Sequence, residues 1–262
     1  MAITDYKRIE YIEVQKIGST YSYIDLGSSL RPNRYWTVGG QFTLPVTGVS
    51  STIYLFGVND GTRNYTFMYS GGDSCYKFRY ANQTAVSLSP VHIFPDNQIV
   101  GAGWYYDYNS SKAIGYIYDE PDEEYSSSGE SSSSGTQLAT KNFYIGCRNN
   151  NGTPGGYFEG ARIYELTMYD EQNLQSMAFF VPVREKTGVD PKVGLYDTVS
   201  DTVFWSKTTT NFLAGPDLNS TEVNVKVNGA WYSGTPYIKV NGSWEEATDV
   251  YIKVNGNWES AV

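Results

Sequence analysis

The chain is almost without histidine and cysteine, with a single His92 and two cysteines, Cys75 and Cys147, in 262 residues. One imidazole and two thiols do not make a Cys/His metal centre, and His92 lies in SPVHIFPD between two prolines with no ligating or catalytic partner near it in sequence. Two cysteines are too few for a disulfide framework. Without an export signal, buried free thiols are expected, a single bridge being the alternative. Basic blocks are missing as well. The formal net charge is −9, which gives a nucleic-acid partner no electrostatic footing and disfavours binding to an anionic membrane. No apolar stretch approaches the ~20 residues of a membrane span, so no membrane insertion is expected. The opening MAITDYKRIEYIEV lacks the apolar core of a signal peptide. A soluble product assembled in a cytoplasm is the expectation. Nucleophile-elbow, phosphate-loop and EF-hand spacings are absent too, so no catalytic residue, metal or cofactor is expected.

Tyrosine, by contrast, is abundant, with 24 residues. Together with plentiful Gly, Ser, Asn and Thr and little Ala or Leu, this favours strands over helices. Short apolar or alternating runs recur between turn signals: YSYIDLG, YWTVGGQFTL, STIYLFGV, NYTFMYS, YKFRY, AIGYIYD, KNFYIGC, GARIYELTMYD and DTVFW. Many short strands without a helix-length pattern predict an all-β sandwich or barrel. One helical piece is predicted, over residues 171–177 with Asp170 as N-cap. Between Asp119 and Thr136 the composition turns to DEPDEEYSSSGESSSSGT, read as a solvated loop between two strands. A boundary falls after Pro216. It divides a large β domain, residues 1–216, from a tail, residues 217–262.

The tail says one phrase three times. Residues 225–231 read VKVNGAW, 238–244 IKVNGSW and 252–258 IKVNGNW, with starts 13 and then 14 residues apart. That period fits one β-hairpin per unit. Asn-Gly is the preferred centre of a two-residue hairpin turn, where both residues need positive φ. With a two-residue loop Val240 pairs with Ser243 and Lys239 lies opposite Trp244, so an ammonium can lie over an indole. A three-residue loop would instead set Trp244 beside Val240. The shorter loop is favoured.

Three segments of the large domain carry a resemblance. Residues 9–27, IEYIEVQKIGSTYSYIDLG, 160–170, GARIYELTMYD, and the stretch FFVPVREKTGVDPKVGLYDTVSDTVFWSKTTTNFLAGPD together resemble the laminin-G-like, concanavalin A-like jelly-roll domains of phage and prophage structural proteins. The VNGxW units are similar to short tandem units of tail-associated phage proteins. The resemblance implies a concanavalin A-like jelly-roll sandwich followed by β-hairpin repeats, located on a virion. It implies a fibre, tail-tip or decoration that contacts other virion proteins and meets the host surface, where surface glycans are the partner in view. Retaining glycosidases of the same jelly roll carry an E-x-D-x-E strand, and Glu120, Asp122 and Glu124 have that spacing. Pro121 and the serines that follow argue for a loop instead, so the protein is expected not to be an enzyme.

A sugar site on a sandwich pairs an aromatic face with amide or carboxylate groups in loops. Two stretches fit: Trp104, Tyr106 and Tyr108 with Asp107 and Asn109, and Asn149, Asn150 and Asn151 with Tyr157. Each has a plain alternative, since Trp104 and Tyr106 alternate as core residues do and an Asn run before Gly is turn-like. The repeats have their own requirement. A lone hairpin is marginal in water, and a tail of about 40 residues is below the size that usually folds alone. Val225, Val227, Trp231, Ile238, Val240, Trp244, Ile252, Val254 and Trp258 are therefore the expected oligomerisation or docking residues, with a homotrimer favoured. A passive array packed on its own jelly roll is the alternative.

Overall fold

The computed structural model describes residues 6–119, 127–132 and 138–218, and in the tail the backbone of six strands between residues 223 and 260. It divides into two compact units, residues 1–216 and 217–262. Among the described residues every regular element is a strand. The first unit holds two large sheets. One runs, edge to edge, Ser127–Ser132, Lys112–Asp119, Ile99–Asp107, Trp36–Thr43, Arg162–Asp170, Gln175–Glu185, Val193–Asp197, Thr202–Trp205. The other runs Val86–Ser87, Cys75–Arg79, Asn64–Ser70, Thr52–Asn59, Tyr144–Ile145, Ile24–Asp25, with the short Arg148–Asn150 and Thr153–Gly155 pair beside Thr52–Asn59.

Alternation decides which side chains face inward. Along Trp36–Thr43 the residues Trp36, Val38 and Phe42 are buried, and along Ile99–Asp107 so are Val100, Ala102, Trp104 and Tyr106. These meet the inward side chains of the second sheet. Phe56 lies 5.9 Å from Phe42 and 5.5 Å from Trp104, ring to ring, so one apolar core joins both sheets in a sandwich-like arrangement. Outside the large sheet, tyrosines lie across glycines. A Cβ on Gly39 would stand 2.0 Å from Tyr116 Oη, and one on Gly101 would stand 2.2 Å from Tyr118 Cζ. The glycines in mid-strand are thus the floor on which those rings rest. Both cysteines are free and buried.

Two expectations are corrected. Residues 171–174 form a turn, not a helix, and Gln175–Glu185 is a strand paired with Arg162–Asp170. Asp170 does cap: its Oδ1 accepts the N–H groups of Gln172 at 2.9 Å and Asn173 at 3.2 Å. The same Asx geometry opens a hairpin turn, and Leu174, at φ 51°, closes it in the left-handed region where a helix cannot continue. The second correction concerns the serine-rich segment, part of which is not a loop. Ser127–Ser132 pairs along Lys112–Asp119 from Lys112↔Ser132 to Ile117↔Ser127, with Ser127 and Ser131 buried. Backbone hydrogen bonds to a neighbouring edge supply what the serine side chains lack in intrinsic preference. Glu120, Asp122 and Glu124 lie outside the described residues.

The tail strands form three separate two-stranded sheets, Val223–Val227 with Ala230–Gly234, Tyr237–Val240 with Ser243–Glu246, and Tyr251–Val254 with Asn257–Ser260. Their registers are the same. Lys226 is opposite Trp231, Lys239 opposite Trp244 and Lys253 opposite Trp258, and Val240 pairs with Ser243 as a two-residue loop requires. The side chains of the nine expected docking residues lie outside the described residues.

Candidate functional site

One end of the sandwich is built from tyrosine. Tyr106 lies one residue before the end of the Ile99–Asp107 strand and Tyr108 stands in the turn that follows, while Tyr35 precedes the Trp36–Thr43 strand. The three rings form a triangle. Tyr35 meets Tyr106 edge-on at 5.3 Å and stacks on Tyr108 at 5.5 Å, and Tyr106 and Tyr108 meet at 5.4 Å. The Arg34 guanidinium lies 4.5 Å from the Tyr35 ring centroid, a cation–π contact. Tyr108 is 48% exposed. Its hydroxyl pKa is raised, first by desolvation among the rings and then by Tyr35 and Tyr106. Below the triangle, the Tyr106 N–H donates to Thr37 Oγ1 at 3.2 Å, and that hydroxyl donates to Glu171 Oε1 at 2.5 Å. A half-exposed tyrosine ring at a cluster that also holds a guanidinium and a carboxylate offers a sugar an apolar surface with polar groups in the same cluster.

The other sequence candidates are placed differently. Trp104 is fully buried, walled by Phe56, Tyr80 and Phe143, and its Nε1 donates to the Trp36 carbonyl at 3.1 Å. Tyr106 is 4% exposed. These two support the site from beneath and present no face to a ligand, because strand alternation turns them inward. Asn149 is also buried. Its Nδ2 donates to the Asn142 carbonyl at 2.8 Å and its Oδ1 accepts the Gly152 N–H at 2.7 Å. Asn150 Oδ1 accepts from Asn59 Nδ2 at 2.9 Å, and Asn151 takes φ 51°. The asparagine run is thus committed to a short hairpin, Asn149 and Asn150 in its first strand and Asn151 in its turn. A chain of contacts links it to the tyrosine end: Asn59 pairs with Asn64, Tyr65 meets Tyr80 at 5.3 Å, and Tyr80 meets Tyr106 at 6.4 Å.

Tyr157 is elsewhere. It stacks on Tyr21 with centroids 4.2 Å apart and planes 7° from parallel, and the pair lines a groove of ≈ 430 Å³ with Ser50, Ser51, Thr52 and Glu159. Burial is the main cause that pushes the Tyr157 hydroxyl up to about 12, with Cys147, Tyr23 and Tyr21 adding to it. Arg34, Tyr35 and Glu171 had no local signal in the sequence, since each is an ordinary loop residue until the sheets bring three distant segments together. Among the described residues no cluster of three or more His, Cys, Asp or Glu side chains could hold a metal ion.

Neither the models of known protein families nor the curated proteins yield a match to this chain.

Proposed function

We propose that the chain is a bacteriophage virion structural protein, a fibre, tail-tip or surface-decoration component without enzymatic activity. Its large unit is a concanavalin A-like jelly roll displayed outward, and its tail is the module that joins it to copies of itself, as a trimer, or to other virion proteins. The observation that carries this reading is the tail's backbone: three hairpins in one register, each its own two-stranded sheet. Two strands do not make a stable sheet in water, and each hairpin leaves edges that a further strand can pair. Three such units in tandem are suited to completion by neighbouring chains. The jelly-roll and virion assignments rest on the likeness of residues 9–27, 160–170 and the 179–217 stretch to phage structural proteins. Imaging of the intact particle tests it. The chain is expected at a surface position in copy numbers that are multiples of three, and its absence from the particle refutes the reading.

A second reading, a carbohydrate-binding adhesin acting mainly in host recognition, is favoured by the half-exposed Tyr108 ring stacked on Tyr35. A glycan array probed with the full chain and with Tyr108→Ala tests this. Loss of the signal in the variant, with its melting temperature unchanged, supports the adhesin reading, and binding that ignores the substitution removes it.

A further inference from the structure

A second groove in the first unit lies away from the tyrosine end. It opens where Thr202–Trp205, the last strand on one side of the large sheet, meets Ile24–Asp25, the last strand of the other. Its volume is ≈ 610 Å³, within the range of about 300–1,000 Å³ typical of ligand clefts. The half-buried Trp205, whose indole meets Tyr6 edge-on at 5.6 Å, forms part of the wall, with Asp25, Asp190, Lys192, Lys207 and Thr208 among the other lining residues.

Its walls are fastened. In the loop after Trp205, Ser206 Oγ donates to the Thr210 carbonyl at 2.7 Å, Thr208 Oγ1 to the Tyr21 carbonyl at 2.8 Å, and the Lys207 N–H to the Tyr23 carbonyl at 2.9 Å. Asn211 ties down the facing segment. Its Nδ2 donates to the Pro191 carbonyl at 3.1 Å and its Oδ1 accepts the Val193 N–H at 3.1 Å. The Ser206 and Thr208 hydroxyls and the Lys207 N–H are therefore already used, while the charged groups are not. The Asp190 carboxylate and the Lys192 and Lys207 ammonium groups make no ion pair or side-chain hydrogen bond among the described residues, and Asp25 uses one oxygen, Oδ1, for the Gly27 N–H at 2.8 Å.

We infer that this groove binds a neutral oligosaccharide. Two carboxylates and two ammonium groups cancel in net charge, so a charged ligand gains little from the groove as a whole. A ligand rich in hydroxyl groups gains from both signs, since each hydroxyl donates to a carboxylate and accepts from an ammonium, and bonds to charged groups are the stronger ones. The indole supplies the apolar plane against which the C–H face of a sugar ring packs. A preformed wall keeps the ordering cost of binding small. This site is distinct from the tyrosine end and holds whether or not the chain belongs to a virion.

Calorimetric titration of the full chain tests the inference. The probes are tetraoses of β-1,4-linked N-acetylglucosamine, β-1,4-linked glucose and α-1,4-linked glucose, with a uronic-acid tetraose as the charged comparison. At least one neutral probe is expected to bind more tightly than the uronic one. Trp205→Ala is expected to weaken it by roughly thirtyfold, as for an aromatic anchor, and Lys207→Ala by about tenfold, as for a lost charge-assisted hydrogen bond. Should Trp205→Ala fold poorly, Lys192→Ala and Lys207→Ala, both at exposed positions, decide the matter. Binding of no neutral probe overturns the inference, as does tighter binding of the uronic probe or affinity that ignores both lysine substitutions. Affinity lost only in Tyr108→Ala assigns glycan binding to the tyrosine end and overturns it equally.

Discussion

Replacement of Trp104 by alanine separates a core role from a binding role. The indole is fully buried, with ring centroids of Phe56, Phe143 and Tyr80 at 5.5, 6.2 and 6.4 Å, and its N–H reaches the Trp36 carbonyl at 3.1 Å. Removing so large a side chain from a packed interior costs about 3–5 kcal/mol, the cavity included. For a unit of this size each kcal/mol moves the melting temperature by about 2–4 °C, so a fall of roughly 6–20 °C is expected. Trp104→Phe keeps a ring in the core and loses chiefly the N–H donor, at a cost of about 1 kcal/mol and a correspondingly smaller fall. Differential scanning calorimetry of the two variants and the parent supplies the comparison. An alanine variant that melts within about 2 °C of the parent contradicts the core assignment, and with it the argument that strand alternation turned this residue away from solvent.

Acid sensitivity is expected at Asp60, whose carboxylate accepts the N–H groups of Thr62, Arg63 and Thr140 and the Thr140 hydroxyl. Burial acts to raise its pKa, but the hydrogen bonds outweigh it and hold the group below its ordinary value. A pKa lower in the folded than in the unfolded chain gives stability that is present above about pH 4 and is lost as the pH falls through the folded value. The melting temperature of the parent should therefore drop more steeply between pH 4 and pH 2 than that of Asp60→Asn, and parallel curves would falsify the assignment. Cys75 and Cys147 should be inert towards an aromatic disulfide reagent in the native protein and react together on unfolding. They are 3% and 0% exposed, and burial pushes the Cys147 thiol well above its usual range. Reaction of either thiol without loss of structure counts against that burial.

Local alternation made the strands legible. YWTVGGQFTL, STIYLFGV, NYTFMYS, AIGYIYD and GARIYELTMYD each coincide with a strand of the structure to within two residues at either end. The tail's VNGxW phrase also foretold its register, because the spacing of an Asn-Gly turn fixes which residues stand opposite. Misreadings arose where one local signal serves two structures. Asp170 bonds the next N–H groups in the same manner whether a helix or a hairpin turn follows, and only the pairing of Gln175–Glu185 with a distant strand decides between them. Serines at Ser127–Ser132 carry no strand preference of their own and are recruited by the open edge of Lys112–Asp119. Of the binding candidates, Tyr108 kept an exposed face, whereas Trp104 and Asn149 are used internally. The residues that complete the tyrosine end, Arg34, Tyr35 and Glu171, and those of the Trp205 groove come from segments far apart in the chain, so no window of sequence contains either site.

The central claim is that the tail holds the protein in its assembly. Light scattering on the full chain and on residues 1–216, with circular dichroism to verify that the shortened chain keeps its strands, tests it most directly. The account predicts a trimer for the full chain and a folded monomer for the shortened one, and equal oligomeric states for the two would contradict it.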